Sequence, residues 1–412
     1  MGSSRLIALA AVTAFALSAC APSESDDSGE GDNGSAGGDA GSETAAAGGE
    51  PTETVKVGII YSETGPLAAY GAQYKAGLEA GIDYATEGTG VINGKEIEIT
   101  YRDDTGNQDT AIAAAKDLIG QEYQILGGTI VSGIAMAMAE QAEQNEILYI
   151  SGPAAVDGLT GINDYTFRSG RQSLQDVATA GSFLEGDSQK VVVFAQDNAF
   201  GQGNLAAVDA ILGAQGAEVS SVLVPEDATE FTPFATQLVD ADPDMIFVAW
   251  AGASSANMWQ SLEQQQVFDV APVVTGLGDS VTFDAYGPVA EHISFLNHYF
   301  PGAPDNEIND TMVAAIEEAG ETPDLFSPDG FVAGQMIVQA VAEGDDVDGM
   351  IAALEGWTFD GPKGEYTIRE SDHALIQDMY TAKLVADGDS WVPELIDVVP
   401  GADVAPPEAA GK

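Results

Sequence analysis

The residues of this chain that could do chemistry are few, and they form no catalytic pattern. Neither the single cysteine nor any of the three histidines lies in a nucleophile motif; these residues are Cys20, His292, His298 and His373. The sequence also lacks G-x-S-x-G and H-E-x-x-H, and Gly94-Lys95 does not complete a phosphate-binding loop because Glu96 follows it. We therefore predict a protein that is not an enzyme and uses no cofactor.

Two groups of aspartates have a spacing that resembles a metal site. They are Asp103, Asp104 and Asp109, and Asp240, Asp242 and Asp244. Neither group has the Gly-bearing pattern of a calcium loop. We interpret both as turns and helix starts, and predict no metal site.

The stretch Val55 to Gly71, VKVGIIYSETGPLAAYG, is a better candidate for function. Its β-branched start predicts a buried parallel strand, and Gly65-Pro66 ends that strand before a helix begins at about Ala68. Open α/β sheets bind ligands in such loops, at the carboxyl ends of their strands. Tyr70 in the first helical turn could cover a small molecule; the alternative is an ordinary turn with Tyr70 packed on its own helix.

The N-terminus resembles a lipoprotein leader. Arg5 precedes an apolar run, Leu6 to Leu17, that is too short to span a bilayer and ends in Leu-Ser-Ala-Cys. We expect residues 1–19 to be a signal peptide and Cys20 to carry the lipid, although a chance cleavage-like site is the alternative. With one cysteine, no disulfide can form within the chain.

Acidic residues outnumber basic ones by 66 to 13, which gives a formal net charge of −53. Residues 20–54 contain nine of these acids among Gly, Ser and Ala, and we expect a disordered acidic tether there. Most of the charge therefore belongs to the remaining chain. This charge argues against nucleic acid as a partner and suits saline surroundings that screen self-repulsion.

Beyond the tether, strands and helices alternate in two series. The first extends from Val55 to about Arg168, and the second from Val191 to about Thr275. Each series is long enough to form its own parallel sheet covered by helices. The pattern predicts an α/β fold with two doubly wound lobes.

Several motifs occur in a specific order: SETGPLAAYG, YRDDTGNQD, GGTIVSG, ILYISGPA, YTFRSG, VVVFAQDNAFGQG and FDGPKGEYTI. In this order, the chain resembles ABC-transporter solute-binding proteins of the branched-chain amino-acid type. The resemblance implies a type I periplasmic-binding-protein fold, with two Rossmann-like lobes joined by three crossovers. We expect lobe 1 at 55–169 and 299–356, lobe 2 at 170–298 and 357–399, and a tail at 400–412. The crossings are expected near 169–171, 298–300 and 357–361.

The resemblance also implies a ligand site between the lobes. The matching positions are Tyr70, Ser132, Ala154, Ala155, Phe200, Trp250, Asp279 and Phe326. Tyr70 and Phe200 match aromatic positions of opposite lobes, and Ser132 matches a hydroxyl that binds a carboxylate at a helix start. Asp279 lies at or beside an acidic position that receives an ammonium. Ala155 departs from the family pattern, which has Thr there, and this favours an amino-acid-like, amide or aromatic-acid solute over leucine itself.

Each of these positions has a structural alternative. Ser132 and Asp279 could cap the helices that follow them, and Phe200, Trp250 and Phe326 could be core residues. Arg171 could meet a ligand carboxylate or pair with a surface acid.

The predicted function is capture of a small solute, amino-acid, amide or aromatic-acid-like, and its delivery to an ABC permease and its ATPase. We expect a monomer that is anchored by lipid to the outer face of the cell membrane. The alternative is a surface sensor of the same fold that signals without transport.

Overall fold

The computed structural model describes residues 51–183 and 190–409. One sheet has the strand order β2-β3-β1-β4-β5-β6. Its strands are β1 (Glu53–Tyr61), β2 (Val91–Ile92), β3 (Lys95–Asp103), β4 (Ile125–Gly127), β5 (Leu148–Ser151) and β6 (Thr166–Arg168). All neighbours in it pair in parallel except β2, which is antiparallel to β3. This sheet is the centre of lobe 1.

The centre of lobe 2 is a second sheet with the order β16-β15-β11-β10-β9-β7-β8. Its strands are β7 (Lys190–Gln196), β8 (Glu218–Val224), β9 (Met245–Ala249), β10 (Val273–Gly276), β11 (Ile293–Asn297), β15 (Met379–Asp387) and β16 (Ser390–Val399). The strands from β7 to β11 are parallel, whereas β15 and β16 are antiparallel. A small antiparallel sheet lies between β11 and β15 in the chain: β12 (Thr358–Gly361), β13 (Gly364–Ile368) and β14 (Leu375–Ile376).

Helices connect and cover the strands. They are α1 (Ala68–Ala85), α2 (Gln108–Gly120), α3 (Ser132–Asn145), α4 (Ser173–Ala180), α5 (Ala199–Val208), α6 (Thr232–Asp240), α7 (Ser255–Gln264), α8 (Phe283–Tyr286), α9 (Glu307–Glu318), α10 (Ser327–Glu343) and α11 (Val347–Leu354). These elements confirm the predicted α/β fold with two doubly wound lobes. In the described ranges, no helix is both long enough and apolar enough to cross a membrane.

Helices α1 and α10 pack unusually closely, which places the chain's return segment beside Tyr70. A Cβ on Gly77 would lie 1.9 Å from the Ser327 carbonyl oxygen, and one on Gly81 would lie 2.2 Å from the Phe331 oxygen. Only glycine fits at such a distance from a neighbouring backbone. The two glycines of α1 therefore fix α10, and with it Phe326, against lobe 1.

The chain crosses between the lobes after β6, after β11 and after β14. The third crossing therefore lies at Gln377 and Asp378, later than the expected position near 357–361. The reason is that Phe359, Tyr366 and Leu375 of the small sheet pack into the hydrophobic core of lobe 1. Only β15 and β16 from this part of the chain join the lobe 2 sheet.

Candidate functional site

The loops at the carboxyl ends of the parallel strands meet between the two lobes. The Pro66 carbonyl, in the loop just before α1, accepts a hydrogen bond from the Ala253 N–H of lobe 2 at 3.3 Å. Gly133 in the first turn of α3 lies beside Ala199, which opens α5 in the second lobe. Parallel α/β sheets place their ligand sites at this end of the strands. The cleft between the lobes is therefore the candidate site.

An aromatic cluster lies on the lobe 1 side of the cleft. The ring of Phe326 is 4.8 Å from that of Tyr70, edge to face, and 5.0 Å from the imidazole of His298. The Arg171 guanidinium carbon lies 5.9 Å from the Phe326 ring centre. All four side chains are buried. Because the first and second crossings supply Arg171 and His298, the cluster joins the cleft to the hinge of the molecule.

A carboxyl group from lobe 2 lies beside the cluster. Asp279 follows β10 and is 2% exposed; its Oδ1 accepts the Thr282 hydroxyl at 2.6 Å, and its Oδ2 accepts Nε2 of Gln73 at 3.4 Å. Burial raises the pKa of Asp279, and the nearby Asp324 carboxylate adds to this rise. Burial also raises the pKa of Tyr70, and Asp279 adds to that effect. The site therefore combines an acid with an aromatic wall.

Arg171 supplies the cationic end of the cluster. Its Nε lies 3.3 Å from the Asp176 carboxylate, and its Nη1 donates to the Pro153 carbonyl at 3.1 Å. Asp176 is buried in α4 of the second lobe, so Arg171 does not pair with a surface acid. A guanidinium at the end of an aromatic wall is suited to a carboxylate or an amide oxygen.

Further ionisable groups lie buried around the hinge. Asp329 lies in the first turn of α10, and Lys363 in the turn between β12 and β13 donates to Oε1 of Gln377 at 2.8 Å. Burial raises the pKa of Asp329 and lowers the pKa of Lys363, while the opposite charge of each group favours ionisation of the other. These residues connect lobe 1 with the third crossing.

The remaining predicted site residues of lobe 1 lie in neighbouring loops. Ser132 is buried and is the first residue of α3, whereas Val131 occupies the cap position without a capping bond, so Ser132 does not cap the helix. The Ala154 carbonyl accepts Nη2 of Arg168 at 2.8 Å, and the Ala155 carbonyl accepts the Ser173 backbone N–H at 2.8 Å. Both carbonyls therefore hold the first crossing in place.

Two of the predicted aromatic residues pack within lobe 2. Trp250 stacks on Phe194 with ring centres 5.4 Å apart, and its Nε1 donates to the Ser254 hydroxyl at 3.0 Å. Phe200, on α5, is half-buried and packs on the second-lobe core that includes Ala207. Trp250 and Phe200 therefore pack on the core of lobe 2, whereas Phe326 packs on Tyr70 and His298.

Three residues of this region were not assigned to the site from the sequence: Gln73, Asp324 and His298. Gln73 lies three residues after Tyr70, so helical spacing places both on one face of α1, and that signal could have identified it. Asp324 and His298 reach the cleft only because the chain returns to lobe 1 after β11, and no local pattern indicates this.

The buried imidazole of His298 leads to a pH prediction. Burial lowers the pKa of His298 well below its usual 6.5, and the Arg171 and Lys363 cations add to this effect. The unfolded chain therefore binds a proton near pH 6.5 that the folded protein does not, so stability is lost as the pH falls. Urea unfolding from about pH 7.5 to 5.5 should show wild type losing up to about 1.4 kcal/mol per pH unit below 6.5 relative to His298→Phe. Parallel curves for the two proteins would contradict it.

Comparisons with known proteins agree with this architecture. A family model described as periplasmic binding protein matches residues 54–389. Leu/Ile/Val-binding protein homolog 3 of Brucella melitensis is 22% identical over 305 residues, which are 73% of this chain and 82% of that relative. BraC3, a Leu/Ile/Val-binding protein of Rhizobium johnstonii, is 27% identical over 198 residues, 47% of this chain and 53% of the relative.

Two solved structures from Rhodopseudomonas palustris are also similar. An ABC-type branched-chain amino acid transporter protein is 32% identical, with a TM-score of 0.70. The alignment covers 87% of this chain and 100% of that protein. An ABC-transporter solute-binding protein in complex with 4-hydroxybenzoate is 22% identical, with a TM-score of 0.76. The alignment covers 85% of this chain and 98% of that protein. The second likeness shows the fold alone. From the family match and the two-lobed architecture together, this chain belongs to the periplasmic binding protein family, as a solute-binding protein of the ABC-transporter type.

Proposed function

We propose that this protein binds one small solute between its lobes, at the Tyr70–Phe326 cluster, and delivers it to an ABC permease. The observation that carries the proposal is the position of this cluster: residues of two crossings contact the Phe326 ring, and Asp279 of lobe 2 accepts a hydrogen bond from Gln73 beside it. A solute bound there contacts groups that move relative to one another when the lobes open. Binding and closure are therefore coupled, because a ligand shifts an equilibrium only through differential contacts.

The chemistry of the site favours a solute with an apolar or aromatic body and a carboxylate or amide head. Tyr70 and Phe326 offer aromatic faces, while Ser132, Arg171 and Asp279 are the polar groups that fix orientation. Asp279 suits an ammonium or an amide N–H, and Arg171 suits a carboxylate. Amino acids, amides and aromatic acids all satisfy this description. The similar structures include an ABC-type branched-chain amino acid transporter protein and a solute-binding protein in complex with 4-hydroxybenzoate.

Native mass spectrometry of gently purified protein tests the proposal. We expect a bound species in the mass range of an amino acid or aromatic acid, lost after unfolding and refolding in ligand-free buffer. Isothermal titration of the refolded protein with the identified compound should then give one site per chain. If the refolded protein binds none of a panel of amino acids, amides and aromatic acids, and the native protein carries no adduct, the proposal is wrong.

We also propose that the mature chain is held at the membrane by lipid on Cys20. This residue lies outside the described part of the chain, and the support is the Leu-Ser-Ala-Cys sequence after an apolar run. Cys20→Ser should abolish incorporation of labelled fatty acid and release the protein from washed membranes, because no other thiol exists. Ser23→Ala is the matched control and should label like wild type. Labelling that persists in Cys20→Ser would refute the anchor.

A further inference from the structure

A second set of contacts joins the lobes beside the candidate ligand site. Ser280, in the turn after β10 of lobe 2, donates twice to one carboxylate oxygen of Asp324 in lobe 1. The backbone N–H of Ser280 lies 2.9 Å from Asp324 Oδ2, and its hydroxyl oxygen lies 2.6 Å from the same atom. Hydrogen bonds to an ionised acceptor are stronger than neutral ones. The Ser280–Asp324 pair is therefore a strong link between the lobes.

Asp324 is held in position for this contact by its own lobe. Its Oδ1 accepts the Leu325 N–H at 2.8 Å, and its backbone N–H donates to the Ser327 hydroxyl at 3.0 Å. Asp324 is also 6% exposed. A carboxylate fixed in this way loses little conformational freedom when it binds a partner. The acceptor is thus preorganised in the segment that precedes α10.

A second bridge lies next to the first. Gln73 of α1 donates through Nε2 to Asp279 of the second lobe at 3.4 Å, and its Oε1 accepts the Phe326 N–H at 3.2 Å. Gln73 therefore connects the acid of one lobe with the backbone of the aromatic cluster in the other. The two bridges involve adjacent residues, Asp279 and Ser280, of a single turn.

We propose that Ser280, Asp324 and Gln73 form an interlobe clasp that stabilises the arrangement in which the two lobes are in contact and so increases the affinity for solute. The clasp residues Ser280 and Asp324 are positioning residues, since they bond to each other across the lobes. The apparent dissociation constant of a two-state binder rises as the population of its binding-competent state falls. The affinity effect rests on the proposed function, whereas the effect on lobe closure does not.

Two variants of Ser280 remove the clasp in steps. Ser280→Ala removes the hydroxyl donor and keeps every backbone bond. Ser280→Pro removes both donors, and the local backbone is suited to proline: Ser280 is the first residue of a short 3-10 turn, and Asp279 before it is extended, with φ −68° and ψ 166°. Val281→Ala is the matched control, because Val281 is the next residue and its side chain is 79% exposed.

The first measurement is the radius of gyration by small-angle X-ray scattering, without solute and with it in excess. We expect Ser280→Pro to be more expanded than wild type without solute, Ser280→Ala to be intermediate, and Val281→Ala to match wild type. Titration with the solute found by mass spectrometry should give a dissociation constant raised about tenfold by Ser280→Pro and about threefold by Ser280→Ala.

Equal radii and equal affinities for wild type and both Ser280 variants would overturn the clasp. An expansion in Val281→Ala as large as in Ser280→Pro would also overturn it, because the turn and not the clasp would then be responsible. If wild type binds no solute at all, the proposed function fails, while the scattering comparison still decides the clasp. Should Ser280→Pro fail to melt cooperatively, the Ser280→Ala data decide.

Discussion

Replacement of Arg168 by methionine should lower the free energy of unfolding by about 3 to 5 kcal/mol, the range for an uncompensated loss within a buried charged network. Arg168 ends β6 and is 1% exposed. Its guanidinium donates to the carbonyls of Ala154, Gly170 and Arg171 and to the Thr160 hydroxyl, at distances from 2.8 to 3.2 Å. Methionine fills a similar volume but leaves these buried acceptors without a donor.

The environment of Arg168 explains why the effect should be large. Burial lowers the pKa of Arg168 to about 10, while the Asp157 carboxylate opposes that shift. The side chain therefore remains charged at neutral pH and holds the first crossing from one lobe to the other. Burial raises the pKa of Asp157, and the Arg168 cation opposes this rise. Loss of the cation therefore leaves the Asp157 carboxylate without this compensating charge.

Urea unfolding followed by circular dichroism measures this effect. Arg102→Met is the control, because Arg102 is 37% exposed and its contact with Asp117 is a 3.6 Å pair at the surface. Exposed pairs of this kind contribute about 0 to 1 kcal/mol. If Arg168→Met and Arg102→Met lose similar amounts of stability, the buried network does not stabilise the crossing as described.

Solute affinity should fall at least tenfold, about 1.4 kcal/mol, in Tyr70→Ala and in Phe326→Ala. The two rings contact each other edge to face at the meeting point of the lobes, so either truncation removes part of the aromatic wall. Tyr70→Phe keeps the ring and loses only the hydroxyl, which interacts with the Gly252 backbone. Its loss of affinity should therefore be smaller than that of Tyr70→Ala.

Phe200→Ala distinguishes this site from the one expected from the sequence alone. Phe200 packs on the lobe 2 core, so its truncation should reduce stability more than affinity. Isothermal titration and thermal melting of the four variants give both quantities. A tenfold loss of affinity in Phe200→Ala with none in Tyr70→Ala or Phe326→Ala would mean that the solute lies elsewhere in the cleft.

The local elements of this protein could be predicted from its sequence. The sequence predicts alternating strands and helices from Val55 to about Arg168, and the structure has strand β3 at Lys95–Asp103 and helix α2 at Gln108–Gly120 within that series. Hydrophobic periodicity and turn residues act over a few positions, so they determine such elements without knowledge of the rest of the chain. The same reasoning placed Tyr70 in the first turn of α1 and identified two separate parallel sheets.

Only the tertiary structure decided which residues meet in the cleft. The contacts of Gln73 with Asp279 and with Phe326 join positions 206 and 253 residues apart, and the Ser280–Asp324 clasp depends on the chain's return to lobe 1. The third crossing lies at Gln377, later in the chain than expected, because Tyr366 of the small sheet is buried in lobe 1. Burial of a residue by a distant element depends on how the helices and sheets pack together. The spacing of residues within one element does not indicate that packing.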